Sequence, residues 1–216
     1  MYGHFYDNNR GNQDWYHLCP HIQFHKVQDN PNFHRGDSDA LRVLLETESE
    51  DVQRVYKMYT EHFSDTFFDP RSGNQLNTGE SMFEHVKNSS VKAVIFDWDR
   101  TLQQFECMST NSFESWCQKF GAETDERKED FALALAIYHA GGTQRFNVLK
   151  DMFSTIKQQK KIVYIITGNP AVTTVGKELY IRILNKWGLN HFSLVYAINK
   201  YHFMANDPIL CCHITW

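Results

Sequence analysis

Cysteine is scarce and unpatterned: Cys19, Cys107, Cys117, Cys211 and Cys212, an odd number with no pair at zinc-ribbon spacing. That argues against a disulfide framework and for a reducing, intracellular setting, so the cytoplasm is the expected location. No apolar run approaches the roughly 20 residues that span a bilayer. The first residues, MYGHFYDNNR, lack the basic region and apolar core of a secretory signal. A soluble chain with no membrane partner is expected. An excess of one charge is missing too. The 22 Lys and Arg against 26 Asp and Glu leave a net charge of −4, which argues against a general nucleic-acid binder. The runs Glu46–Asp51 and Lys157–Lys161 read as solvated faces. What is present is apolar material: 42% hydrophobic and 14% aromatic residues over 216 positions, enough for one sizeable domain with room for a smaller appendage.

Residues 1–38 show no period of 2 or 3.6 and read as loop or poorly ordered chain. His17, His21 and His25 fall at i, i+4 and i+8, but Pro20 interrupts them, and the cluster reads as fortuitous. Residues 39–90 read as a helical extension. Val52, Val55, Tyr56, Tyr59 and Phe63 make an amphipathic stripe, residues 69–80 form a loop, and a short helix is predicted around Ser81–Lys87. From Val91 the character changes. VKAVIF is a continuous apolar run ending in DWDRT, as expected of a buried parallel strand. Helical patterns occupy about 112–119, 129–140 and 146–159; the second closes on Gly141-Gly142, and the third presents Leu149, Met152, Phe153 and Ile156 on one face. A second strand, IVYII at 162–166, runs into TGNP. A helix over about 172–187 follows, with Val175, Leu179, Ile183 and Trp187 as its stripe, and a third strand covers 192–198. This alternation predicts an α/β fold, a Rossmann-like parallel sheet covered by helices, with ligands binding beyond the carboxyl ends of the strands.

Both polar signatures lie at such ends. Asp97 and Asp99 are two apart, so in an extended or turning segment they project to one side. Two carboxylates so placed repel unless a cation or a shared proton relieves them. Magnesium suits the pair, since it takes one or two carboxylates and keeps waters and substrate oxygens for the rest. One carboxylate can then attack phosphorus while the other moves protons. Thr167, Gly168 and Asn169 offer a hydroxyl, a close-approaching backbone and an amide, all suited to phosphate oxygens; Thr167 and Asn169 could equally cap the helix after Pro170.

Together, VIF followed by Asp97-Trp98-Asp99-Arg100-Thr101-Leu102 and IVYII followed by Thr167 resemble the first two motifs of the haloacid dehalogenase superfamily, most of whose members are phosphatases. The resemblance covers about residues 91–203. It implies a catalytic domain over 91–216, with a small helical cap inserted at about 103–145, acting as a magnesium-dependent phosphohydrolase on a phosphorylated substrate. Asp97 would be the nucleophile and a metal ligand. Asp99 would be the general acid and base, with its main-chain carbonyl on the metal. Thr167 would bind the transferred phosphoryl group, with Thr101, Gly168 and Asn169 beside it. The family's lysine would be Lys200, after the third strand, or Lys177 inside the preceding helix. Phe105, Phe113, Trp116 and Phe120 read as cap core or pocket lining.

The family's last motif, a strand ending in acids, has no clear match. Asp207 is the only acid in the final stretch YHFMANDPILCCHITW, and it stands as the candidate third metal ligand or as a turn residue. Cys211, Cys212 and His213 cannot easily converge on one ion. Without that strand the motif-bearing strand keeps an open apolar edge, to be covered by the N-terminal residues, the tail or a second protomer. The alternatives to an active hydrolase are a binding or regulatory protein that keeps the fold with an impaired site, and a fragment of an active parent.

Overall fold

The structure is a computed structural model that describes residues 46–62, 79–103, 111–167 and 169–196. The expectations placed on residues 1–38, Phe63, Phe105, Gly168, Lys200, Asp207 and the Cys211-Cys212 tail therefore lie outside the described residues. The described fold is α/β. In chain order it comprises α1 (Glu50–His62), α2 (Glu80–Asn88), β1 (Ala93–Asp97), a π-turn (Trp98–Leu102), α3 (Phe113–Phe120), α4 (Asp125–Ala140), α5 (Thr143–Gln158), β2 (Ile162–Thr167), a 3-10 turn (Pro170–Thr173), α6 (Lys177–Lys186) and β3 (Ser193–Tyr196). Among the described residues no helix is long and apolar enough to cross a membrane.

The strands are parallel and ordered β1-β2-β3. Ala93 lies opposite Ile162 and Asp97 opposite Ile166, while Thr167 lies opposite Tyr196. The continuous apolar runs are explained by burial of both faces. Val94, Phe96, Val163 and Ile165 enter the main core, and the alternate residues Ile95, Tyr164 and Ile166 are buried as well. β2 extends one residue beyond its apolar run, so Thr167 is the last residue of the strand rather than the first of the loop.

The helices begin and end for local reasons. Ser112 accepts a hydrogen bond from the Ser115 amide and so caps α3, and Gly121 closes that helix in the left-handed region. α4 starts at Asp125, four residues before its apolar pattern, because Thr124 caps the amide of Arg127 at 3.2 Å and acids occupy its first turn. Gly141, at φ 84°, ends it as predicted. Gly142 gives α5 no side chain to cap with. Glu48 supplies that function from far along the chain, accepting from the Thr143 amide at 2.6 Å and hydroxyl at 2.5 Å.

One helical stripe is corrected. Val175, placed in the buried face of a helix over 172–187, is 65% exposed. The segment breaks into the 3-10 turn and α6, and Val175 falls between them. The downstream Leu179, Ile183 and Trp187 are buried as expected.

A single apolar cluster joins the elements. Val52, Val55 and Tyr59 of α1 and Met82 and Val86 of α2 belong to it, together with Phe113, Trp116 and Phe120 of α3 and most of the apolar residues between Phe131 and Ala140 of α4. The three α3 aromatics are fully buried, which assigns them to core. Tyr59 stacks on Trp116 with ring centroids 4.8 Å apart. At the rim, Arg127 of α4 grips Asp51 of α1 through both carboxylate oxygens, at 3.1 and 3.2 Å. Helices from the N-terminal region and from the segment between the two motifs thus share one core with the sheet.

Candidate active site at the ends of β1 and β2

Asp97 is the last residue of β1, half-buried and still extended at φ −75°, ψ 149°. By strand alternation it lies on the face of Ile95, away from Phe96. Directly after it the backbone winds into the π-turn, closed by the Gln103 amide donating to Trp98 O at 3.0 Å. Single π-turns are rare and often sit at functional positions. Asp99 is therefore presented by a wound turn, not by a continuing strand. Its side chain lies outside the described residues.

The turn is anchored at its start by Trp98, wholly buried. The indole meets Tyr180 edge-on at 5.0 Å and stacks on Trp187 at 5.6 Å. Trp187 in turn donates to Ala136 O of α4 at 2.9 Å. Thr101 is buried, and its hydroxyl, like the Trp98 indole N–H, has no hydrogen-bond partner among the described residues. Orphaned polar atoms of this kind cost about 1–3 kcal/mol each, so the turn holds a conformation that its own side chains do not fully satisfy.

Other elements hold the turn's main chain. The Arg145 guanidinium, buried in the first turn of α5, donates to Thr101 O at 2.6 Å, Leu102 O at 2.5 Å and Ala140 O at 3.1 Å. Burial pulls its pKa down to about 10, which leaves it protonated at neutral pH. Gln103, next in the chain, has its Oε1 2.8 Å from His139 Nδ1, and His139 Nε2 lies 3.0 Å from the Tyr59 hydroxyl. Burial lowers the His139 pKa to about 3, so the imidazole is neutral.

The end of β2 is simpler. Thr167 is fully buried, and its hydroxyl accepts from the Asn169 amide at 3.0 Å, closing a tight local turn. The Asn169 side chain is buried too, donating to the Tyr180 hydroxyl at 3.3 Å. The helix-capping alternative for these residues thus resolves into a turn that precedes the 3-10 segment. Thr167 nonetheless sits beside the end of β1, one register step past the Asp97–Ile166 pair, and adjacent strands lie about 4.8 Å apart. Register places Asp97 and Thr167 on adjacent strand ends, with the turn that bears Asp99 and Thr101 following the first and Asn169 the second. Lys177 is the first residue of α6 and exposed.

Among the described residues no three His, Cys, Asp or Glu side chains converge as a metal group. A cavity of about 440 Å³ lined by Ser89, Lys92, Lys160, Lys161 and their neighbours opens elsewhere. It lies at the amino ends of β1 and β2, the far end of the sheet from Asp97. Lys161 is already committed there to Val86 O and Ser89 O. Since ligands of parallel α/β sheets bind at the carboxyl ends, the strand-end geometry outweighs the presence of that cavity.

Sequence reasoning missed Arg145, His139, Gln103 and Tyr59. Two signals were there. Arg145 stands four residues before Leu149, on the same stripe as Met152, Phe153 and Ile156. His139 is a polar residue within an otherwise apolar turn, AIYHA. Comparison with known protein families, curated proteins and solved structures found no match.

Proposed function

We propose that this chain is a magnesium-dependent phosphohydrolase of the haloacid dehalogenase type, with Asp97 as nucleophile and Asp99 as proton-transfer partner. The observation that carries the reading is the end of β1. A buried parallel strand delivers Asp97 half-exposed at its carboxyl end and passes at once into a wound turn bearing Asp99, with Thr167 on the neighbouring strand end.

Asp97 attacks phosphorus, the P–O bond to the leaving group breaks, and Asp99 gives that oxygen its proton. Asp99 then takes a proton from water as the acyl phosphate is hydrolysed. Thr167 would hydrogen-bond the transferred phosphoryl group through its hydroxyl. The donor set fits magnesium, which accepts one carboxylate and a carbonyl with waters and substrate oxygens as the rest. The Asp97 carboxylate and the Asp99 carbonyl would hold it, with Asp207 as the candidate acid from outside the described residues. When bound, the ion supplies positive charge that offsets the phosphoryl oxygens.

Hydrolysis of p-nitrophenyl phosphate by the 216-residue chain with magnesium tests the reading. Turnover should require the metal and fall about a thousand-fold or more in Asp97→Asn, which keeps shape and removes the nucleophile. Turnover that survives that substitution, or that persists in excess chelator, sinks it.

A further inference from the structure

A π-turn is far rarer than α-helix and persists where its surroundings hold it. The braces on Trp98–Leu102 come from remote parts of the chain. Gln103 Oε1 can only accept, so His139 Nδ1 must carry the ring proton, and the bare Nε2 then accepts from the Tyr59 O–H. With that amide orientation the two hydrogen bonds run one way, from Tyr59 through His139 to Gln103. Each member is buried, at 0–1% exposure, so water cannot substitute for a lost partner. The second brace leads to the same place. Glu48 caps α5 at Thr143, two residues before the Arg145 that holds Thr101 O and Leu102 O.

We infer that Tyr59 and His139 are positioning residues: through Gln103 they fix the turn that carries Asp99, which makes helix α1 part of the catalytic apparatus. The inference rests on the reading of Asp97 and Asp99 as the reacting pair. Neither Tyr59 nor His139 touches substrate. They act on where the Asp99 turn sits relative to Asp97, and a displacement of about 1 Å in such a pair can cost a hundred-fold in rate.

The test uses the full chain. Nitrogen-15 spectra of the wild-type protein should show His139 neutral with Nδ1 protonated and Nε2 bare; the opposite tautomer overturns the relay, and this measurement needs no variant to fold. In Tyr59→Phe and Gln103→Met, amide exchange over 98–103 should rise about ten-fold or more while that over 162–167 changes less than about two-fold. In the same variants kcat should fall about ten-fold or more with KM within about two-fold, the pattern of a lost transition-state arrangement. Exchange that rises uniformly across the protein, or that stays unchanged over 98–103, overturns the inference. So does local loosening with unchanged kcat. Should the wild-type chain hydrolyse no phosphate ester, the functional reading fails, while the tautomer and the exchange contrast still decide whether α1 holds the turn.

Discussion

The carboxyl ends of β1 and β2 lie side by side and are built by opposite means. Among the described residues the end of β2 is held nearly locally: Thr167 accepts from Asn169 two residues on, and Asn169 reaches Tyr180 eleven residues away. The end of β1 cannot. Its π-turn leaves the Thr101 hydroxyl and the Trp98 indole N–H unpartnered among the described residues, and its carbonyls and the following Gln103 are held by residues 36 to 44 positions away, with Tyr59 behind them 80 positions from His139. A strand end stabilised by its own sequence tolerates change elsewhere. One stabilised by remote buried polar groups is only as fixed as the whole core. The costlier construction is at the end that carries Asp97 and Asp99, where placement matters most to the proposed chemistry.

The contrast is broken most severely at Arg145. Arg145→Met keeps the stem and removes the donors to Thr101 O, Leu102 O and Ala140 O. Stranded buried carbonyls cost about 1–3 kcal/mol each, partly offset by no longer burying a charge. A net loss of about 2–4 kcal/mol is expected, read as a lower denaturant midpoint. Arg145→Lys should recover little of it, because one ammonium cannot reproduce a planar fork spanning three acceptors. A midpoint within about 0.5 kcal/mol of wild type for Arg145→Met would show that the turn stands without its brace.

Acid sharpens the same contrast, because the β1 side contains a buried imidazole. With its folded pKa near 3, well below the ordinary 6.5, His139 is charged more readily in the unfolded chain. The unfolded state therefore binds the extra proton between those values, and stability contributed by neutral His139 is lost as pH falls through 6.5 toward 3. The slope approaches about 1.4 kcal/mol per pH unit once well below 6.5. His85, lowered to about 4 chiefly by burial, adds a dependence of the same sign, so the informative quantity is the difference between wild type and His139→Gln. Glutamine keeps a donor and an acceptor but does not titrate. The variant should show the shallower loss between pH 6 and 4.5; parallel curves would mean that His139 is already protonated in the folded state.

How much of this the sequence carries follows from the same local-versus-remote division. The apolar run stopping at Asp97 specifies both the buried strand and the polar residue at its end, and the Gly141 stop needs nothing beyond its own turn. The stripe of α5 is readable because its period is local. Val175 misleads since apolar spacing cannot register the break between the 3-10 turn and α6, where it is exposed. The start of α4 hides in charged residues, because a cap by Thr124 carries no hydrophobic period. For the site, the motifs locate Asp97 and Thr167 but say nothing of what holds them. Arg145 on a buried stripe and His139 in an apolar turn signal that something polar is satisfied there; only the tertiary arrangement shows with whom.

The smallest expected change in stability lies on the β2 side, and it separates a turn-forming role from a catalytic one. Thr167→Val keeps the side-chain shape and removes the acceptor for the Asn169 amide. One buried N–H is stranded, so about 1–2 kcal/mol should be lost. Thr167→Ser keeps the hydroxyl and loses a methyl group, costing about 1 kcal/mol. On stability alone the two variants are nearly indistinguishable. On turnover they should part, because an aimed hydroxyl donor is worth about a hundred-fold to a developing oxyanion. At a temperature where both are fully folded, Thr167→Val should lose about that factor in kcat, and Thr167→Ser should stay within about ten-fold of wild type. Equal turnover in the two would reduce Thr167 to the residue that closes its own turn. The catalytic weight would then fall entirely on the end of β1, where the chain invests its remote braces.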